Sequence, residues 1–139
     1  ASMNLNINYK HSNIDNILKS KKKFDVIIAL EVLEHIKNVP YFCEVLSRLI
    51  KPKGIIIIST INKTILSNII VIKLAEIFFK KIPAGTHHYE KFIKPKELNG
   101  YFVSAGLQMK DLKGMVWGPI RNWRLSNKTG INYIVTFKK

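Results

Sequence analysis

Phe24-Asp-Val-Ile-Ile-Ala-Leu30, followed at once by Glu31-Val-Leu-Glu-His35, is the stretch that decides how this chain folds. Every position from Phe24 to Leu30 except Asp25 is apolar, and the basic run Lys19–Lys23 precedes it. A short continuous apolar run with polar flanks reads as a buried strand. Residues apolar on both alternating sides suit a parallel sheet covered by helices on both faces. In such sheets ligands bind just outside the carboxyl ends of the strands. Glu31, Glu34 and His35 therefore stand where chemistry is expected.

Toward the C-terminus, Pro40 is placed to start a helix, with Phe42, Val45, Leu46 and Leu49 as its apolar stripe. Pro52 and Gly54 end it, and Gly54-Ile-Ile-Ile-Ile-Ser-Thr60 is a second buried strand. Strand, helix and strand in so few residues make a βαβ unit with a right-handed crossover. Pro95 starts a further helix carrying Leu98, Phe102 and Val103 and ending near Gly106. Leu107–Leu112 and Ile131–Lys138 read as two more strands, joined by a loop holding Gly114, Trp117, Gly118, Pro119 and Trp123. Toward the N-terminus, Leu5, Ile7 and Tyr9 alternate with asparagines as in a half-exposed strand. Ser12 can cap a short helix through Leu18. The pattern is that of one mixed α/β domain over residues 1–139, with no linker or repeat.

The bulk numbers agree. A chain of 139 residues with 47% hydrophobic content can bury a core and is not a disordered tail. A net charge of +14 at pH 7 gives a surface that attracts nucleic acid or anionic lipid. The lysines are scattered, as compositional drift toward Ile, Lys and Asn also produces. No aromatic-and-basic strand pattern of an RNA-binding sheet appears, so nucleic acid is not an expected partner. The lone cysteine, Cys43, excludes an internal disulfide, suits a reducing compartment and reads as core packing. The first twenty residues lack the apolar stretch of a signal peptide.

Residues 61–82 are strongly apolar, yet Lys63, Lys73, Glu76, Lys80 and Lys81 interrupt them. The uncharged stretches fall short of the roughly 20 residues a transmembrane helix needs. Ile65, Leu66, Ile69, Ile70 and Ile72 share one side of a helix, and the pattern rotates past Val71. Two short helices, or a bend near Val71–Lys73, fit it. The segment suits either an interfacial membrane element or an extra helix packed on the sheet.

Glu31, Glu34 and His35 are spaced i, i+3 and i+4, so a helical turn would gather them on one face. Two carboxylates and an imidazole can hold a divalent ion such as Mg²⁺. Alternatively, His35 can take a proton from a phenolic hydroxyl. Glutamates near a helix start also serve the helix dipole alone. His87 and His88, after Pro83-Ala-Gly-Thr86, form either a second polar group for the same pocket or an exposed loop pair.

Together these segments resemble a known family. Phe24–His35 looks like the fourth strand of a class I S-adenosylmethionine-dependent methyltransferase. Glu31-Val-Leu-Glu-His35, Lys51–Asn62 and Ile82–Leu98 resemble the ubiquinone-biosynthesis O-methyltransferases more narrowly. The resemblance implies an α/β, incomplete Rossmann-like sheet: strands three to seven, the last antiparallel, with Leu5–Tyr9 as strand three. Strands one and two, with their glycine-rich turn, are missing, and no G-x-G occurs. It implies S-adenosylmethionine as cofactor and a polyprenylated phenol or demethylubiquinol as substrate. It places Leu30 beside the adenosine, Glu31, Glu34 and His35 on a divalent ion, and His35 as catalytic base. Residues 61–82 become a membrane-associating insert, with the chain peripheral on the inner face of the cell membrane. A truncated or split enzyme is expected, binding the cofactor poorly alone. Its partners would include a complementary N-terminal half or other quinone-pathway proteins. The alternatives are a methyltransferase for another small hydroxylated substrate and a non-catalytic basic fragment on an anionic membrane surface.

Overall fold

The computed structural model describes residues 5–67, 69, 89–117 and 123–139. Five strands form one mixed sheet: β1 (Phe24–Leu30), β2 (Ile50–Ile61), β3 (Gln108–Trp117), β4 (Trp123–Ser126) and β5 (Asn132–Lys138). Their order is β1-β2-β5-β3-β4. β1 and β2 are parallel, whereas β5 runs antiparallel to both β2 and β3. The βαβ unit and the antiparallel last strand are as expected.

The α-helices α1 (Ile14–Lys19), α2 (Val39–Leu49) and α3 (Pro95–Ser104) accompany the sheet among the described residues. Asn13, rather than Ser12, caps α1 by accepting the Asn16 N–H at 2.8 Å. Asn38 caps α2 through the Tyr41 N–H, with Pro40 in the first turn. Proline also opens α3, which ends before Gly106, whose φ of 83° suits a residue without a side chain. Cys43 and Leu46 of α2 and Leu98 and Phe102 of α3 pack on Ile56 and Ile58 of β2 and Tyr133, Val135 and Phe137 of β5. Phe102 stacks on Phe137 with ring centroids 4.2 Å apart. Burial pushes the Cys43 thiol up to about 12, consistent with a packing role.

Four expectations need correction. Residues 5–13 adopt no strand, and Leu5, Ile7 and Tyr9 are exposed. Alternation alone does not make a strand where no neighbouring strand offers its hydrogen bonds, so strand three is not formed. β2 begins at Ile50, directly after α2, instead of at Gly54. The stretch read as a loop after Leu112 instead continues β3 to Trp117 and returns as β4. Finally, among the described residues β1 is covered on one face only. Ala29 is buried, whereas Val26, Ile28 and Leu30 on the other face are 47%, 61% and 52% exposed. Among the described residues the helices pack on the Ala29 face, and β1 is an edge strand.

The expected bend near Val71–Lys73, and most of the 61–82 insert, lie outside the described residues. Its root is described. Asn62 donates to the Thr129 carbonyl at 2.7 Å, and the Thr64 hydroxyl to the Gly130 carbonyl at 2.6 Å. Buried Ser67 accepts the Thr64 N–H at 3.2 Å and donates to the Asn62 carbonyl. These bonds strap the segment to the β4–β5 turn. No helix among the described residues is long and apolar enough to cross a membrane.

Candidate functional site

β1 and β2 lie in parallel register, with Leu30 opposite Ser59. Their carboxyl ends therefore meet, and the chain must leave β1 within a residue. Glu31 makes that exit with a φ of 53°, a left-handed conformation costing a non-glycine residue about 1 kcal/mol. The strand end compensates with directed bonds. The Glu31 N–H points at the Ser59 carbonyl and hydroxyl oxygens, both at 3.1 Å. The Ser59 hydroxyl in turn donates to Glu31 Oε1 at 2.6 Å.

A single 3₁₀ turn, Leu33–His35, follows. Leu33, fully buried, anchors it to the core and carries Glu34 inward to 7% exposure. Glu34 Oε1 accepts the Thr60 hydroxyl and the Ile61 N–H, the latter at 2.9 Å. Its Oε2 is buried without a hydrogen-bond partner among the described residues. Two carboxylates thus end on adjacent hydroxyl residues of β2. Partial desolvation raises the Glu31 pKa, the Ser59 hydrogen bond opposes that rise, and the nearby Glu34 charge adds to it.

The expected helical face of Glu31, Glu34 and His35 does not form, because Glu31 precedes the turn in its left-handed bend. His35 ends the turn, exposed. No three His, Cys, Asp or Glu side chains among the described residues gather closely enough to hold a metal ion. The expected three-donor set is therefore not assembled among the described residues. Leu30 stands at the carboxyl end of β1 on its open face. His87 and His88 lie outside the described residues. Sequence reasoning missed Ser59 and Thr60. Two hydroxyls closing an otherwise apolar strand, next to a carboxylate-rich strand exit, were the available signal.

The model of a family described as a methyltransferase domain matches residues 3–112. The mitochondrial ubiquinone biosynthesis O-methyltransferase of Dictyostelium discoideum is 44% identical over 95% of this chain and 42% of its own length. The ubiquinone biosynthesis O-methyltransferase of Pelagibacter ubique is 42% identical over 97% of this chain and 56% of its own. The chain thus spans about half the length of these curated relatives. Among solved structures, an S-adenosylmethionine-dependent methyltransferase from Mesorhizobium loti superimposes with a TM-score of 0.65 at 9% identity. That match covers 99% of this chain and 72% of the other. One from Methanosarcina mazei gives 0.57 at 11% identity, covering 86% and 60%. The fold is therefore a partial class I methyltransferase sheet, and by the family match over most of its length the chain belongs to the methyltransferase domain family.

Proposed function

We propose that this chain serves O-methylation of a hydroxyl on a polyprenylated phenol or demethylubiquinol in ubiquinone biosynthesis. S-adenosylmethionine is the donor and, when bound, supplies an electrophilic methyl group. The observation carrying this reading is the similarity to ubiquinone-biosynthesis O-methyltransferases over nearly the whole chain, at 42–44% identity for the two relatives above. In this reading Leu30 offers an apolar wall to the adenosine. The exposed His35, held at the mouth of the β1–β2 junction by the buried turn, takes the phenolic proton. Glu31, fixed by Ser59, stands beside Leu30 at the strand end, while the buried Glu34, fixed by Thr60 and Ile61, holds the turn in place. The divalent ion implied by the resemblance, such as Mg²⁺, finds no three-donor group among the described residues, so this reading assigns proton removal to His35.

A prenylated substrate lives in a membrane. The exposed Ile65, Leu66 and Ile69 at the root of the insert, with the net charge of +14, support a peripheral position on an anionic membrane surface. In this reading the protein sits peripherally on the inner face of the cell membrane. The open face and free edge of β1 favour a second reading, a non-catalytic basic fragment on the same surface. In the first reading a complementary half would pair with that edge.

Transfer of labelled methyl from S-adenosylmethionine to a short-chain demethylubiquinol tests the first reading. The assay uses this chain with and without the remaining part of the Pelagibacter relative. Activity is expected only in the mixture, and His35→Ala should abolish it while retaining cofactor binding. Calorimetric titration of the chain alone should show no micromolar binding of S-adenosylmethionine. Methylation of soluble catechols in preference to the prenylated phenol would overturn the substrate assignment.

A further inference from the structure

The ladder between β3 and β5 ends at Lys113 opposite Ile134, but β3 continues to Trp117 paired with β4 alone. Four residues at about 3.4 Å each carry this two-stranded ribbon about 14 Å past the ladder. Its direction is fixed by the topology. The Asn132 end of β5 pairs with Ile61, so the ribbon leaves the sheet at the carboxyl end of β2. The Glu31–Glu34 site and the root of the 61–82 segment share that end. Trp123 and Leu125, on one side of β4, are 64% and 65% exposed. Trp117 is the register partner of Trp123. The β4–β5 turn joins ribbon and segment, because Leu66 packs beside Gly130 and Thr64 bonds its carbonyl.

We propose that the β3–β4 ribbon is a second membrane-contacting element, seated in the interface of an anionic bilayer beside Ile65, Leu66 and Ile69. This rests on the membrane reading above and extends it to a part of the fold that reading does not use. Three features select a bilayer as the occupant. Tryptophan concentrates at membrane–water interfaces, where its ring is apolar and its N–H stays hydrated. Exposed Arg124 and Lys128 flank the apolar residues within a chain of net charge +14, complementary to anionic headgroups. The ribbon is also continuous with exposed aliphatic residues at the same end of the sheet. Two separate elements would fix the orientation of the protein and turn its site toward the lipid.

The chain has two tryptophans, both on this ribbon, so its own fluorescence reports the contact. Trp117→Phe leaves Trp123 as sole reporter in the full 139-residue chain. Vesicles of phosphatidylcholine with phosphatidylglycerol should float the protein, shift Trp123 emission to shorter wavelength and, when brominated lipid is included, quench it. Pure phosphatidylcholine should do so weakly. Leu125→Asp, at an exposed position, should weaken partitioning about tenfold. Flotation with unchanged emission and no quenching would overturn the ribbon contact and leave the membrane reading standing. Absence of flotation would overturn both. A blue shift that appears without lipid and grows with protein concentration would instead assign the surface to a second copy, also overturning the proposal.

Discussion

Glu31 holds an unusual backbone angle and a carboxylate in one place, and both depend on Ser59. The bend turns the chain off β1, and the Ser59 hydroxyl and carbonyl hold it there. Its carboxyl has a raised pKa in the folded chain, while the unfolded carboxyl titrates near its ordinary 4.5. Between those values the native state binds more protons than the unfolded one, so stability falls as pH rises through the window. Below 4.5 the contribution is fully present, and once both forms are ionised it is gone. Glu31→Gln, measured by urea denaturation with a chelator present, should therefore show a flatter stability profile from acid toward neutral pH. The glutamine carbonyl can still accept the Ser59 hydroxyl, so the bend survives. A profile parallel to that of the unsubstituted chain would show that Glu31 does not titrate as its surroundings imply. Glu34 differs in kind. It is more deeply buried, with two donors on one oxygen, which suits a structural pin at the strand exit.

At the scale of elements, the β3–β4 ribbon depends on one close approach. A Cβ on Gly114 would lie 1.7 Å from the Lys128 carbonyl oxygen and 2.6 Å from its carbon. Both are backbone atoms, so no rotamer change relieves the clash. Gly114→Ala should cost about 3 kcal/mol of stability and separate β4 from β3. Guanidinium denaturation gives the first effect, and loss of amide protection at Val116 and Arg124, a register pair of the ribbon, the second. The same ribbon marks where sequence reading reaches its limit. β1, α2 and α3 were legible because an unbroken apolar run or a proline at a helix start is a local signal. The ribbon was not, since Gly114, Gly118 and Pro119 read as loop residues and the need for glycine at 114 comes from Lys128, fourteen residues away in the chain. Leu5, Ile7 and Tyr9 fail in the opposite sense. They alternate as a strand should but pair with no strand among the described residues. The site was half legible. Its charged residues were visible as a cluster, whereas Ser59 and Thr60, which direct the carboxylates, come from the register of β1 against β2.

Among the described residues the helices cover one face of the sheet and leave β1 exposed on the other. Val26, Ile28 and Leu30 of β1 lie in register with the half-buried Ile55 and Ile57 and the buried Ser59 of β2, so the exposed apolar surface of this face is concentrated on the edge strand. An apolar cleft of about 220 Å³ sits at the same edge, lined by Ile14, Ile17, Phe24, Val26, Ile27, Leu46 and Leu49. Fully covering an aliphatic side chain is worth about 1.5–3 kcal/mol, and an edge strand also offers backbone groups to a further strand. Both forces act on anything that completes the sheet. In isolation they act between copies, so the purified chain should self-associate as its concentration rises. Sedimentation velocity over a dilution series should show this, and Ile28→Lys should move the distribution toward monomer. Because Ile28 is 61% exposed, the same substitution should change unfolding stability by no more than about 0.5 kcal/mol. A chain that stays monomeric throughout the series would mean that the open face is covered from within. A large loss of stability in Ile28→Lys would place the covering element on β1 itself.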